Sequence, residues 1–385
     1  MYFLKLLLKN PFRHKLRSSL TVLGITIAIL SFGMLRTIIG AWYSGVDASS
    51  ASRLVTRNAI SIIFTLPMSY KEKIRQVEGV KIVSWGNWFG GYYIDKKNFF
   101  ANFAVDPKSY LNLYPEFVVP EDQKNAFIRD RKGAVVGKKL MERFHWKLGD
   151  TVTLKGTIYP GDWSMTIRGV YTGKTSSTDE TQLFFQWDYL NESMRKSAPA
   201  RADQVGFYMI GVKSPGDASP AAQEIDSMFK NSLAETLTES EKAFQLSFIA
   251  MTEAIVIAIK LVSYVVIIII MAVTANTMAM TARERIGEYA VFKTLGFGGI
   301  HISILIFGES MFIAMLGGII AVGLDYPAAL WFKSQLSNFF PIFNIDRNTI
   351  YMQLAAAFVV GFVAALFPAW RAVRIKIADG LRRIG

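Results

Sequence analysis

Four long apolar runs constrain this chain more than any other feature. Ser18–Leu35 is uncharged between Arg17 and Arg36, and Leu261–Ala282 is uncharged between Lys260 and Arg283. Thr294–Leu324 carries Glu309 as its single charge, and Asn348–Trp370 carries none. Each run reaches the roughly 18 to 25 residues that a helix needs to cross a bilayer. Four spans are therefore expected, rather than the about two or three domains that a soluble chain of 385 residues would form. The first run follows a basic segment, KNPFRHKLR, as a signal peptide would. It is long for that role, and no small-residue cleavage site stands out after it, so a retained anchor is expected.

The net charge of +13 invites a nucleic-acid reading. Its distribution answers otherwise. Three short stretches beside the runs hold Lys5, Lys9, Arg13, Lys15 and Arg17, then Arg283, Arg285 and Lys293, then Arg371, Arg374, Lys376, Arg382 and Arg383. Their only acids are Glu284, Glu288 and Asp379, whereas residues 41–250 hold 26 basic and 23 acidic side chains. Basic excess confined to alternate loops is the positive-inside pattern. It puts both termini and the 283–299 loop in the cytoplasm and residues 41–240 outside, and it implies no nucleic acid. The absence of cysteine excludes a disulfide framework and a thiolate metal site.

The external segment is long enough to fold. YKEKIRQVEGVKIVSWG reads as helix, turn and strand, and AVVGKKLMERFHWKLGDTVTLKG as strand, helix, Gly-Asp turn and strand. A mixed α/β domain in two lobes is expected, with a β-rich insertion at about 133–190. From Glu239 onward a stretch with neither proline nor glycine runs into the second span, which predicts one unbroken stalk helix. Small residues four apart, Gly24 with Ala28, Gly317 with Ala321 and Ala314 with Gly318, favour close helix packing.

Catalytic motifs are weak. His14, His145 and His301 fall far apart and on both sides of the membrane, which argues against a shared metal. GAVVGKK is one residue short of a phosphate loop and has no Ser or Thr after the lysine. Glu309 lies inside a span, where a carboxylate is costly; a helix-joining hydrogen bond and a transmission role are equally open. Aromatic residues at span ends, such as Trp42, Trp331 and Trp370, fit interfacial belts.

The loop TARERIGEYAVFKTLGFGG is the most informative segment. Glu284 and Glu288 are four apart and share a helix face, while Ile286, Tyr289, Ala290 and Phe292 can lie against neighbouring spans. Gly296, Gly298 and Gly299 then free the chain to turn back. This loop and the following span resemble the signature region of FtsX/MacB-type ABC permeases: Arg283, Glu284, Arg285, Gly287, Glu288, Lys293, Leu295, Gly296, Glu309, Gly317 and Gly318 fall on its pattern. NPFRHKLRSSLTVLGITIAI, FAVDPKSYLNLYPEF and FPAWRAVRIKIADGLRRIG are similar to the family's start, periplasmic core and ending, with Ile377 at the usual proline.

The resemblance implies a type VII (MacB-like) architecture: an α-helical membrane protein with four transmembrane helices and a large mixed α/β extracytoplasmic domain. Its expected order is a cytoplasmic amphipathic segment 1–17, spans at 18–40, 261–282, 300–324 and 349–370, the external domain 41–240, a stalk 241–260, a coupling helix 283–299, a short loop 325–348 and a tail 371–385. It implies ATPase coupling at Glu284, Arg285, Gly287, Glu288, Tyr289, Lys293, Leu295 and Gly296, and packing or transmission at Gly24, Ala28, Glu309, Gly317 and Gly318. It further implies a bacterial inner-membrane permease that binds no cofactor, with ATP and magnesium on a separate cytoplasmic ATPase. A second permease copy, a periplasmic adaptor and an outer-membrane exit protein are implied partners, for export or lipoprotein extraction. An FtsX-like regulator that activates an external enzyme is the alternative within the class, and a membrane sensor without an ATPase the alternative outside it.

Overall fold

The computed structural model describes residues 15–175, 177–336, 340 and 342–374. The amphipathic segment expected before Lys15 and most of the basic tail after Arg374 lie outside the described residues. The chain divides into two compact units, one holding most of the long helices and the other Tyr43–Met251.

Among the described residues, four helices are long and apolar enough to cross a membrane: Lys15–Val46, Glu253–Glu284, Gly299–Phe332 and Arg347–Val373. Small residues bring three of them together. Ile25, Ala28 and Ile29 of the first pack with Ile313, Ala314 and Ala321 of the third and Ala357 and Val360 of the fourth. A methyl added at Gly317 would fall 2.8 Å from the Ile25 side chain, and one at Gly318 2.6 Å from the Ala357 Cβ. At such separations backbone polar groups come within reach of facing hydroxyls. Thr26 Oγ1 donates to the Gly317 carbonyl at 3.2 Å, and Ser310 Oγ to that of Gly361 at 2.7 Å. Gly24 faces Ile270 of the second helix instead. That second helix leaves Leu261, Ile268, Ile269 and Val273 exposed.

Helix limits differ from expectation in two places. The stretch before the second span is not one helix. Thr236–Ser240 is a strand, Glu241–Met251 a helix, and Glu253–Glu284 a separate one. Thr252 breaks the run with φ −113° and ψ 11°, its carbonyl capping Ile255 and Val256 and its hydroxyl accepting the Trp42 indole N–H at 2.9 Å. The third helix also continues to Leu336, through the segment expected as a loop. Asp325 ends the apolar run in sequence, but Ala329 beyond it is buried and the helix carries Pro327 without stopping.

The second unit is built on an 11-stranded sheet. From one edge to the other its strands are Thr236–Ser240, Arg53–Asn58, Phe207–Val212, Val80–Trp88, Asn102–Val105, Leu183–Gln186, Gly133–Gly137, Gly161–Gly173, Thr151–Gly156 and Tyr92–Tyr93, with Phe117–Val118 on Gly161–Gly173. Neighbours run antiparallel except Leu183–Gln186 with Asn102–Val105 and Gly133–Gly137 with Gly161–Gly173. The expected insertion is thus not a detached lobe, because Leu183–Gln186 sits between strands from either side of the boundary. Alternate side chains feed two cores, as strand periodicity requires. Leu54, Ala134, Leu183, Phe185 and Tyr208 enter one, and Val55, Val135, Phe184 and Met209 the other. Burial on both faces explains why GAVVG is apolar throughout: it is a central strand leading into the helix Lys138–Phe144.

Candidate functional site

The second long helix ends at Glu284, and a short helix, Ile286–Thr294, begins after the single residue Arg285. Apolar spacing seats that short helix. Tyr289 is buried in a cluster with Ala282 of the second helix, Ile302 and Ile306 of the third and Ala365, Ala369 and Ala372 of the fourth, and Ala290 is fully buried as well. Burial pushes the Tyr289 phenol up to about 12, against the pull of the Arg285 guanidinium, so the ring packs as a neutral group.

Arg285 is the centre of the arrangement. Its side chain is 9% exposed, and it donates to Glu288 Oε2 at 3.0 Å and to Glu309 Oε2 at 2.8 Å. The intramembrane glutamate is therefore half of a buried ion pair that ties the helix joint to the third span. Two further anchors hold the segment. Arg17 of the first helix grips Glu284 with both terminal nitrogens, at 2.7 and 2.8 Å, and Lys293 Nζ donates to the Val373 carbonyl at 2.8 Å.

These contacts turn most of the sequence-singled charges inward or sideways. Arg285, Glu288, Tyr289, Lys293 and Glu309 form one connected group with the spans, Glu284 is engaged by Arg17, and Gly287 is half-buried. What faces outward is the far end of the short helix: Val291, Leu295 and Phe297 are exposed, Leu295 at 69%. Gly296 follows with φ +90°, a left-handed conformation open to glycine, and reverses the chain toward Gly299. A methyl at Gly299 would lie 2.8 Å from Val373, which fixes the start of the third helix against the end of the fourth. Of the packing residues, Ala28, Gly317 and Gly318 belong to the seam of the first, third and fourth helices.

Sequence reasoning passed over Arg17, Asp325 and Gln353. In sequence, Arg17 reads only as part of a topological flank. Asp325 stood at the end of an apolar run. Gln353, fully buried, is a polar residue inside a span, a signal that a tally of charges does not register.

Two family models match this chain. Residues 18–228 match the model of the MacB-like periplasmic core domain, and residues 260–377 that of the FtsX-like permease C-terminal region. An uncharacterised ABC transporter permease of Methanocaldococcus jannaschii is 24% identical over 399 residues, covering 97% of this chain and 96% of the relative. Among solved structures, the periplasmic region of MacB from Actinobacillus actinomycetemcomitans is similar at 8% identity over 53% of this chain and 95% of that one, with a TM-score of 0.39. The extracellular domain of the noncanonical ABC-type transporter YknZ from Gram-positive bacteria is similar at 11% identity over 49% of this chain and all of that one, with a TM-score of 0.36.

Proposed function

The chain belongs to the ABC transporter permeases that join a MacB-like periplasmic core domain to an FtsX-like permease region, and on that premise we propose that it is the membrane subunit through which a separate ATPase drives an external domain. ATP and magnesium bind on the partner chain, and the segment 283–299 is the coupling element. The single observation that carries this reading is the buried Arg285–Glu309 pair at the root of an exposed apolar tip. A push on Leu295 and Phe297 is received by a helix whose joint is ionically fastened to the third span. A passive loop has no need to bury a guanidinium, because desolvating a charge costs several kcal/mol unless it is paired (roughly).

The partner surface accordingly centres on Val291, Leu295 and Phe297, with Glu288 beside them. Work done by the ATPase is delivered as helix displacement toward the α/β domain on the other side of the membrane, for export or extraction of a substrate handled there. A second permease copy completes the assembly, and the exposed apolar side of the second helix is a surface suited to it or to lipid. Both termini are cytoplasmic, in agreement with the charge asymmetry.

The test is copurification from native membranes. The native protein should bring down a nucleotide-binding subunit, and a Leu295→Asp/Phe297→Asp variant should lose it while remaining folded. Retention of that subunit by the variant would move the docking surface elsewhere. Extraction of the native protein with no ATPase would remove the transporter reading and favour a sensor. An external hydrolase in the same eluate would favour the regulator form over transport.

A further inference from the structure

Two arginines at the ends of the second and fourth helices have no part in the reading above. Ala282, in the last turn of the second helix, packs in one cluster with Ala369 and Ala372 near the end of the fourth. Such small residues let helix ends approach closely. A narrow cleft lies between the two ends, lined by apolar side chains that include Ile286 and Phe367. Its only polar side chains among the described residues are Arg283 and Arg371, one from each helix, and both are exposed. Neither makes a side-chain hydrogen bond or ion pair among the described residues. The nearby carboxylates are taken, Glu284 by Arg17, and Glu288 and Glu309 by Arg285.

We propose that this cleft binds the headgroup of an anionic phospholipid, with the phosphate between Arg283 and Arg371 and the acyl chains along the exposed side of the fourth helix at Phe367 and Val363. Guanidinium groups match a phosphate better than any other side chain, because their N–H donors engage its oxygens in pairs. Basic pockets between spans are where acidic headgroups bind. Each arginine stands in the last turn of its helix, where the dipole favours a cation. That accounts for one cation at each end, and not for the convergence of both on one apolar cleft. The same dipoles favour a lipid over free phosphate. Both helix ends present carbonyls, which repel an anion, and no lining side chain offers a hydroxyl or an amide. An anion that arrives on acyl chains is held by apolar contact as well as by charge. Trp370 marks the depth: it is half exposed at the same helix end, with the Arg374 guanidinium 4.3 Å from its ring, as an interfacial anchor would be. Ile286 opens the short helix, so an occupied cleft fastens the fourth helix to the root of the segment 283–299. Binding there requires that these helices span a bilayer; it does not require the ATPase.

The test uses the full-length protein in nanodiscs of phosphatidylcholine alone or of equal parts phosphatidylcholine and phosphatidylglycerol, with thermal unfolding followed by intrinsic fluorescence. A lipid that binds the folded chain alone raises Tm. Phosphatidylglycerol should raise the native Tm by roughly 2 °C or more. Arg283→Gln and Arg371→Gln should each lose most of that rise. Lys15→Gln, which removes the same charge from the start of the first helix, should keep it. Equal losses in all three variants would mean a general attraction between a basic chain and an acidic bilayer, and would overturn the site. So would a native Tm that phosphatidylglycerol leaves unchanged. A rise produced equally by inorganic phosphate in the phosphatidylcholine discs, and lost in the same two variants, would make the ligand a soluble anion and end the lipid assignment. Loss of a copurified ATPase from these variants, with no lipid effect, would give the arginines to the partner and end it too. Should a variant fail to fold, modification of the native protein by phenylglyoxal, read by peptide mass spectrometry, decides. Phosphatidylglycerol that slows the reaction of Arg283 and Arg371 several-fold supports the site, and unchanged rates at both remove it.

Discussion

Two buried arginines, one in each unit of the molecule, use the same chemistry to opposite ends. Arg53, at the start of the sheet strand Arg53–Asn58, has a side chain 7% exposed and binds Glu241 at 2.7 Å and Glu116 at 2.6 Å. It also reaches the Leu113 carbonyl at 3.3 Å and lies over the Tyr114 ring, whose hydroxyl donates to Glu241 at 3.1 Å. Burial works against this guanidinium, but Glu116 and Glu241 more than offset it, and its protonated form is held more firmly than in water. Every partner comes from the same packed unit, so the network closes on itself. Arg285 is buried to a similar degree, yet it occupies a one-residue joint and reaches a different element with each arm, Glu288 in the short helix and Glu309 in the third span. A closed network resists deformation. In the proposed function, the open one passes it on.

The largest expected effect breaks the closed network. Arg53→Ala leaves Glu241 buried without its counter-charge and should destabilise the α/β unit by about 3–5 kcal/mol. Hydrogen exchange on the full-length protein should show lost protection in Arg53–Asn58 and in its antiparallel partner Thr236–Ser240. Protection unchanged in both strands would mean that the cluster is ornamental. Glu309→Leu comes next, at about 2–3 kcal/mol, because Arg285 keeps Glu288 when it loses the membrane carboxylate. The comparison sharpens with Arg285→Met/Glu309→Leu. Replacing both partners by apolar groups of similar size should recover most of the stability, while stimulation of the partner ATPase by the permease stays low. If activity returns together with stability, the pair is a structural link and the distinction between the two networks falls.

Much of this arrangement was legible in the sequence, for definite reasons. Apolar length alone reports the spans, because a bilayer leaves few alternatives. The adjacent apolar pair Tyr289 and Ala290 reports a helix seated on its neighbours, but that Arg285, Glu288 and Lys293 turn toward the spans is not visible in it. Packing among Gly317, Gly318 and Ala28 is visible as small-residue spacing. Partner choice is not visible. Glu284 and Glu288 share a helical face in sequence, yet Arg17 captures one and Arg285 the other, and only the third dimension brings residue 17 to residue 284. The break at Thr252 was hidden because threonine is an ordinary helix residue until a neighbouring indole takes its hydroxyl. Asp325 was hidden because charge is an unreliable end-marker for a helix whose far turns are still buried.

The smallest effect is expected at the pair that most resembles a sequence motif. Arg17 and Glu284 make two short hydrogen bonds, but their side chains are 32% and 41% exposed. An ion pair so placed exchanges one hydrated state for another and is screened by salt. Glu284→Ala should therefore cost only about 0.2–1 kcal/mol, and the loss should fade as ionic strength rises toward about 1 M. Thermal unfolding of both proteins across a salt series measures this directly. Glu309→Leu, tested alongside, should show little salt dependence, since its partner is out of reach of solvent ions. A salt-independent loss of several kcal/mol at Glu284 would show that the first and second helices are fastened there as firmly as the joint is fastened to the third span. The segment 283–299 would then have two buried anchors rather than one.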